Sequence, residues 1–168
     1  MIHLDEIIQI LTDRSPDRVG MGYRLVQFFN PVTIIDDQLQ YTRNINGTPQ
    51  EGIWQKHWFA FATDEFGSPI FVDMETEKVY TANNDNSEWQ AYYVATSLNN
   101  YISAIVEINN IAENRETPDQ LKENPVPEAI ADSVIALIDH ANPSIDLWYW
   151  ELFMENYDDG NDLEEPDL

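Results

Sequence analysis

The chain has 168 residues, 43% of them hydrophobic and 12% aromatic, enough to bury a core within one domain. Its 31 acidic and 8 basic side chains give a formal net charge of −23, which argues against nucleic acid and anionic membrane surfaces as partners and favours a basic protein or a cation. Cysteine is absent, which excludes disulfides, thiolate chemistry and zinc–thiolate sites and fits a reducing compartment.

Met1 to Arg14 has no basic n-region followed by an apolar stretch, and no run of about 18 apolar residues occurs anywhere. A cytoplasmic protein is therefore expected. Leu4, Ile7, Ile8 and Leu11 recur at helical spacing and predict an amphipathic helix that ends near Asp13, before Ser15-Pro16. Gly20-Met21-Gly22 lacks the third glycine of a dinucleotide fingerprint. Tyr23–Phe29 and Leu39–Arg43 read as strands, and Asn44–Gly52, with Asn46-Gly47-Thr48, reads as a polar loop.

A predicted antiparallel meander follows. Ile53–Ala62 forms its first strand, running through His57-Trp58-Phe59. Asp64-Glu65-Phe66-Gly67-Ser68 is a turn, with Gly67 as the residue able to take positive φ without steric cost. Pro69–Met74 returns. Glu75-Thr76-Glu77 turns into Lys78–Thr81. Asn83–Ser87 turns again, into Glu88–Val94. Connections this short exclude parallel pairing, which needs long crossovers.

After Val94 the period changes. Leu98, Tyr101, Ile102, Ile105 and Ile108 share one helical stripe, with Thr96 or Ser97 as its cap. Asn114–Pro127 is polar, contains three prolines, and reads as a linker. Pro127–Ala141 predicts a helix with Ile130, Val134, Leu137, Ile138 and Ala141 on one face. Asn142-Pro143 predicts the cap and first position of a further helix, apolar on two faces through Ile145, Trp148, Tyr149, Leu152 and Phe153 and through Leu147, Trp150 and Met154. Core packing is the favoured use of those faces. The fold class expected is α+β, with one domain over residues 1–157 and an acidic, mobile tail over 158–168.

Charge is unevenly spread. Residues 1–122 carry eight basic and eighteen acidic side chains, whereas residues 123–168 carry thirteen carboxylates and no basic group. The C-terminal segment is the stronger electrostatic lure.

Catalytic and metal patterns are sparse. His3, His57 and His140 are the only histidines; none stands four residues from another, so no structural zinc site is expected. His57 reads as a structural histidine within a strand. No nucleophile elbow or phosphate loop is present. Paired carboxylates such as Asp64/Glu65 and Asp73/Glu75 are the chance consequence of acidity, and a glycosidase would need two of them across a cleft. Asn83–Ser87 lacks the twelve-residue spacing of a calcium loop, so a turn is the preferred reading. We expect no catalytic residue, no cofactor and no metal.

The ordered set Trp58, Phe61-Ala62-Thr63-Asp64-Glu65-Phe66-Gly67, Ile70-Phe71-Val72-Asp73, Lys78-Val79-Tyr80 and Val94-Ala95-Thr96-Ser97-Leu98 resembles the SUKH superfamily. That superfamily groups fungal cell-wall regulators with bacterial immunity proteins of polymorphic toxin systems. The resemblance covers roughly Ile53–Ile108. It implies a SUKH-like scaffold in which Trp58, Gly67 and Asp73 are structural, Asp73 binding backbone amides in the turn after it. It also implies a non-enzymatic immunity protein that neutralises a toxin domain. The charge adds that the toxin is a basic, nuclease-type one.

A regulatory scaffold for endogenous proteins is the alternative, and an enzyme using carboxylates as acid and base is a third; salt adaptation of the host is another source of the acidity. The expected partner contacts are the turn residues Asp64, Glu65, Glu75, Glu77, Asp85, Glu88 and Trp89, with Asp158 and Asp159 steering. Trp89 is either a hot-spot anchor or a core residue of its strand.

Overall fold

The computed structural model describes residues 1–42, 54–85 and 88–155. Six strands, β1 (Arg18–Met21), β2 (Arg24–Phe28), β3 (Trp58–Asp64), β4 (Pro69–Asp73), β5 (Val79–Asp85) and β6 (Glu88–Ala95), form one sheet in sequence order. Every pairing is antiparallel. The helices are α1 (Leu4–Arg14), α2 (Ile34–Asp37), α3 (Leu39–Thr42), α4 (Leu98–Asn110), α5 (Pro118–Glu123), α6 (Glu128–Ala141) and α7 (Trp148–Glu151), the last running into a 3-10 turn at Leu152–Met154. The fold is α+β, a meander with helices packed on it.

Alternation splits the sheet's side chains between two clusters. Phe59, Ile70, Val72, Val79 and Val94 join α1 and α4 in the main core, which draws on residues from Ile2 to Phe153. Ala60, Phe71 and Ala82 face the other way, onto Tyr41 and Trp54. The register slips at Phe61 and at Val94, so that Phe61-Ala62 and Val94-Ala95 each turn two consecutive residues toward the main core, as a bulge does. α4 covers this face. Leu98, Tyr101, Ile102, Ala104, Ile105 and Ile108 are buried, and Ser97 Oγ accepts the Asn100 N–H as the helix cap. Each fully buried isoleucine there contributes roughly 1.5–3 kcal/mol relative to exposure.

Several predicted elements differ. Leu39–Thr42 is helical rather than a strand. Gln38, just before it, donates to the Ala60 carbonyl and accepts the Ala60 N–H, both at 2.8 Å. The amide thereby satisfies β3 beyond the end of β2, and Tyr41 stacks on Trp54 at 5.0 Å. β3 starts at Trp58 rather than Ile53, because Trp54 folds back, its indole N–H donating to the Trp58 carbonyl. β5 runs on to Asp85, through the stretch expected to turn from Asn83. β1 was not anticipated: it is four residues long, with Val19 and Met21 inward. The supposed linker contains α5, started by a capping box in which Thr117 Oγ1 accepts from Gln120 N and Gln120 Oε1 accepts from Thr117 N.

Asn142 ends α6 instead of starting the next helix. It is 1% exposed, its Oδ1 accepts from Thr96 N and Thr96 Oγ1, and its Nδ2 donates to the Ile138 carbonyl. A residue so engaged with two elements has no lone pair left to cap a third. The chain then lies along edge strand β6, exchanging bonds between Asp146 and Tyr93, and turns helical only at Trp148. Tyr149, Trp150 and Phe153 are buried, with the Trp150 indole N–H donating to the Val94 carbonyl at 2.8 Å. The predicted tail, 158–168, lies outside the described residues.

Candidate functional site

The β3–β4 connection consumes its own carboxylates. Asp64 Oδ1 accepts from Phe66 N and Ser68 N, both at 2.9 Å, and Gly67 takes φ +79° with open space around it. Glu65 was expected to point outward, as turn residues usually do. Instead its side chain is 15% exposed: Oε2 accepts from Arg24 Nη1 at 2.7 Å and Oε1 from Leu25 N at 3.0 Å. The Arg24 guanidinium also lies 5.3 Å from the ring centres of both Tyr149 and Phe153. Tyr149 and Tyr101 share a buried hydroxyl contact at 2.8 Å. Burial pushes both phenols above the ordinary tyrosine range, and Arg24 acts in the opposite sense. Glu65 thus fastens the β3–β4 turn to the hairpin β1–β2, and has no free face to offer a partner.

The β4–β5 connection is built differently. Asp73 is 8% exposed; its Oδ1 accepts from Glu75 N at 2.9 Å and Thr76 N at 3.3 Å. Backbone bonds from Asp73 N to the Lys78 carbonyl and from Glu77 N to the Asp73 carbonyl close the turn, and Glu77 takes φ +69°. The second carboxylate oxygen, Oδ2, accepts no hydrogen bond among the described residues and lies 3.5 Å from His57 Nε2. His57 Nδ1 is 3.9 Å from Glu75 Oε2, and Glu75 is 65% exposed. Glu77 accepts the Met1 ammonium at 3.0 Å. Beside this group, Trp58 packs on Phe71 at 4.5 Å, Phe71 on Tyr80 at 5.7 Å, and Tyr80 on Tyr93 at 5.7 Å, with Lys78 Nζ over the Tyr93 ring. Burial, then the Asp73 charge, raises the Tyr80 phenol above its ordinary value.

The third acidic region is α6. Only Val134 and Ile138 of the helix are buried. Glu128, Asp132 and Asp139 are exposed, as are Ile130 (43%) and Leu137 (54%), which the sequence placed on the packed stripe. The helix rests on α4 through one narrow seam, and between the two lies a cavity of about 180 Å³ lined by Asn100, Ser103, Ala104, Glu107, Leu137 and Ile138. Among the described residues, Arg14 and Arg115 turn to other acceptors than these acids. Arg14 donates to the Asn99 carbonyl and amide oxygen and to Ser103 Oγ, and Arg115 to the Asn124 and Ile111 carbonyls.

Of the anticipated contacts, Glu75 and Glu77 come together at one turn, while Asp64 and Glu65 are engaged at another. Asp85 and Glu88 pair across the end of the β5–β6 hairpin, and Trp89 pairs with Asn84; strand register alone places these residues. Asp158 and Asp159 lie outside the described residues. The grouping of His57 with Asp73 and Glu75 was missed. Its signal was the hairpin register: once Trp58 stands opposite Asp73, His57 falls beside the turn that follows Asp73. Among the described residues no helix is long and apolar enough to cross a membrane. No family model, curated protein or solved structure matches the chain.

Proposed function

We propose that this chain is a non-enzymatic immunity protein that neutralises a basic, nuclease-type toxin domain by covering it with an acidic surface. The observation that carries this reading is one exposed side of α6, where Glu128, Asp132 and Asp139 recur at helical spacing, away from Ile130 and Leu137 on the opposite side. Carboxylates supply the encounter and fix the register with a cationic surface. Nuclease domains hold phosphates with lysine and arginine, so an acidic face competes for the same groups. The ordered motif from Trp58 to Leu98, which resembles SUKH proteins, supports the same reading.

A large secreted toxin gene directly upstream would support the reading, and the test is co-expression with a basic nuclease-type toxin domain from such a gene. We expect restored growth with the natural chain, and loss of protection when Glu128→Lys, Asp132→Lys and Asp139→Lys are combined. All three positions are exposed, so thermal stability should stay within about 0.5 kcal/mol of the parent. Full protection by the triple variant, or no protection by the natural chain, would contradict the proposal; a growth defect without any toxin would favour a regulatory scaffold.

A further inference from the structure

We infer that His57, Asp73 and Glu75 form a binding site for one divalent first-row transition ion, with zinc as the representative. One ligand atom from each residue lies within 4.8 Å of the others. The donor set is one imidazole nitrogen and two carboxylate oxygens, which suits borderline ions better than calcium, whose sites use six to eight oxygens.

Metal–ligand bonds of about 2.0–2.1 Å in a tetrahedral site place donors roughly 3.3 Å apart. The His57 Nε2 to Asp73 Oδ2 separation of 3.5 Å already approaches that value. It is too long for the hydrogen bond that a structural histidine–aspartate pair would make at about 2.7–2.9 Å. Asp73 is the fixed member. Its side chain, 12% exposed, is anchored through Oδ1 by the Glu75 and Thr76 amides, and Oδ2 accepts no hydrogen bond among the described residues and lies 3.5 Å from the imidazole. Glu75, 65% exposed on the turn, now lies nearest the other imidazole nitrogen, Nδ1, at 3.9 Å, and its Oε2 has to turn to the Nε2 side to complete the site.

Three protein ligands leave a fourth position for water or a partner's side chain. A bound ion would tie the start of β3 to the β4–β5 turn and cancel the two carboxylate charges there. The inference stands on this geometry and does not depend on what the chain protects against.

Titration calorimetry of the full chain with zinc chloride, in buffer containing millimolar magnesium to occupy unspecific acidic sites, tests it. The expected result is one saturable ion per chain. Separate His57→Gln and Glu75→Gln variants should weaken binding at least ~10–100-fold, at least as much as loss of an outer-shell partner costs elsewhere. The double variant His3→Gln and His140→Gln should bind as the parent does. Zinc should also raise the parent's melting temperature and leave those of the first two variants unmoved. Because His57 and Glu75 are partly or largely exposed, both variants should fold, whereas Asp73→Asn would also disturb the turn. Binding unchanged in both His57→Gln and Glu75→Gln, or no saturable binding above magnesium, would overturn the site.

Discussion

Glu65 and Glu75 hang from successive turns of one meander, and their surroundings are opposite. The Glu65 side chain is 15% exposed and locked to Arg24 and the Leu25 amide; that of Glu75 is 65% exposed and lies 3.9 Å from the imidazole of His57. A place in a turn does not decide whether a carboxylate faces solvent. The cation that a neighbouring element brings to it decides. Arg24 begins β2, the strand beside β3, and its guanidinium lies over the aromatic pair Tyr149 and Phe153 while donating to Glu65, so its charge is delivered to the β3–β4 turn. At the β4–β5 turn the Met1 ammonium goes to Glu77, and Glu75 meets a histidine at 3.9 Å.

Truncation should separate the two most strongly. Glu65→Ala strands a guanidinium whose side chain is 13% exposed, and should cost about 3 kcal/mol in urea unfolding; Glu75→Ala should change stability by less than about 0.5 kcal/mol. Equal costs would break the comparison. The glycines of the neighbouring turns sharpen it. Gly22, in the β1–β2 turn, has φ +61°, and a Cβ there would meet Leu121 Cδ2 at 2.5 Å. Gly22→Ala should cost about 2 kcal/mol, combining left-handed backbone with crowding of a side chain that can partly yield. Gly67→Ala, at φ +79° with nothing nearby, bears the backbone term alone, about 1 kcal/mol. Thermal melts that reversed this order would show that the β1–β2 turn is not packed on α5.

The sequence disclosed what depends on near neighbours. Aromatic and β-branched runs around Gly67 marked β3 and β4, and the stripe from Leu98 to Ile108 marked α4, because sheet and helix periods repeat within a few residues. Leu39–Thr42 misled because Leu39 and Tyr41 alternate with polar residues as a strand would, while their helix is held by Gln38 bonding to Ala60, twenty-two residues away. β1 was too short to show its alternation. The surroundings of the acids were the least legible. Glu65 is settled by Arg24 forty-one residues earlier, and the exposure of Ile130 and Leu137 by how narrowly α6 meets α4. Such facts belong to the packing of elements and leave no local pattern.

The central claim is the proposal that the exposed carboxylates of α6 guide this protein onto a basic partner. Stopped-flow association with a basic nuclease-type toxin domain of the kind proposed, across a series of salt concentrations, tests it most directly. Complementary charge raises association rates to as much as ~10⁸–10⁹ M⁻¹s⁻¹ at low salt, and screening shortens its reach to roughly 8 Å at physiological ionic strength. The account predicts an association rate that falls steeply with salt, a dissociation rate that changes little, and an association rate at least ~10-fold lower at low salt for Asp132→Lys with Asp139→Lys. An association rate independent of salt, and unaltered by those two reversals, would contradict it.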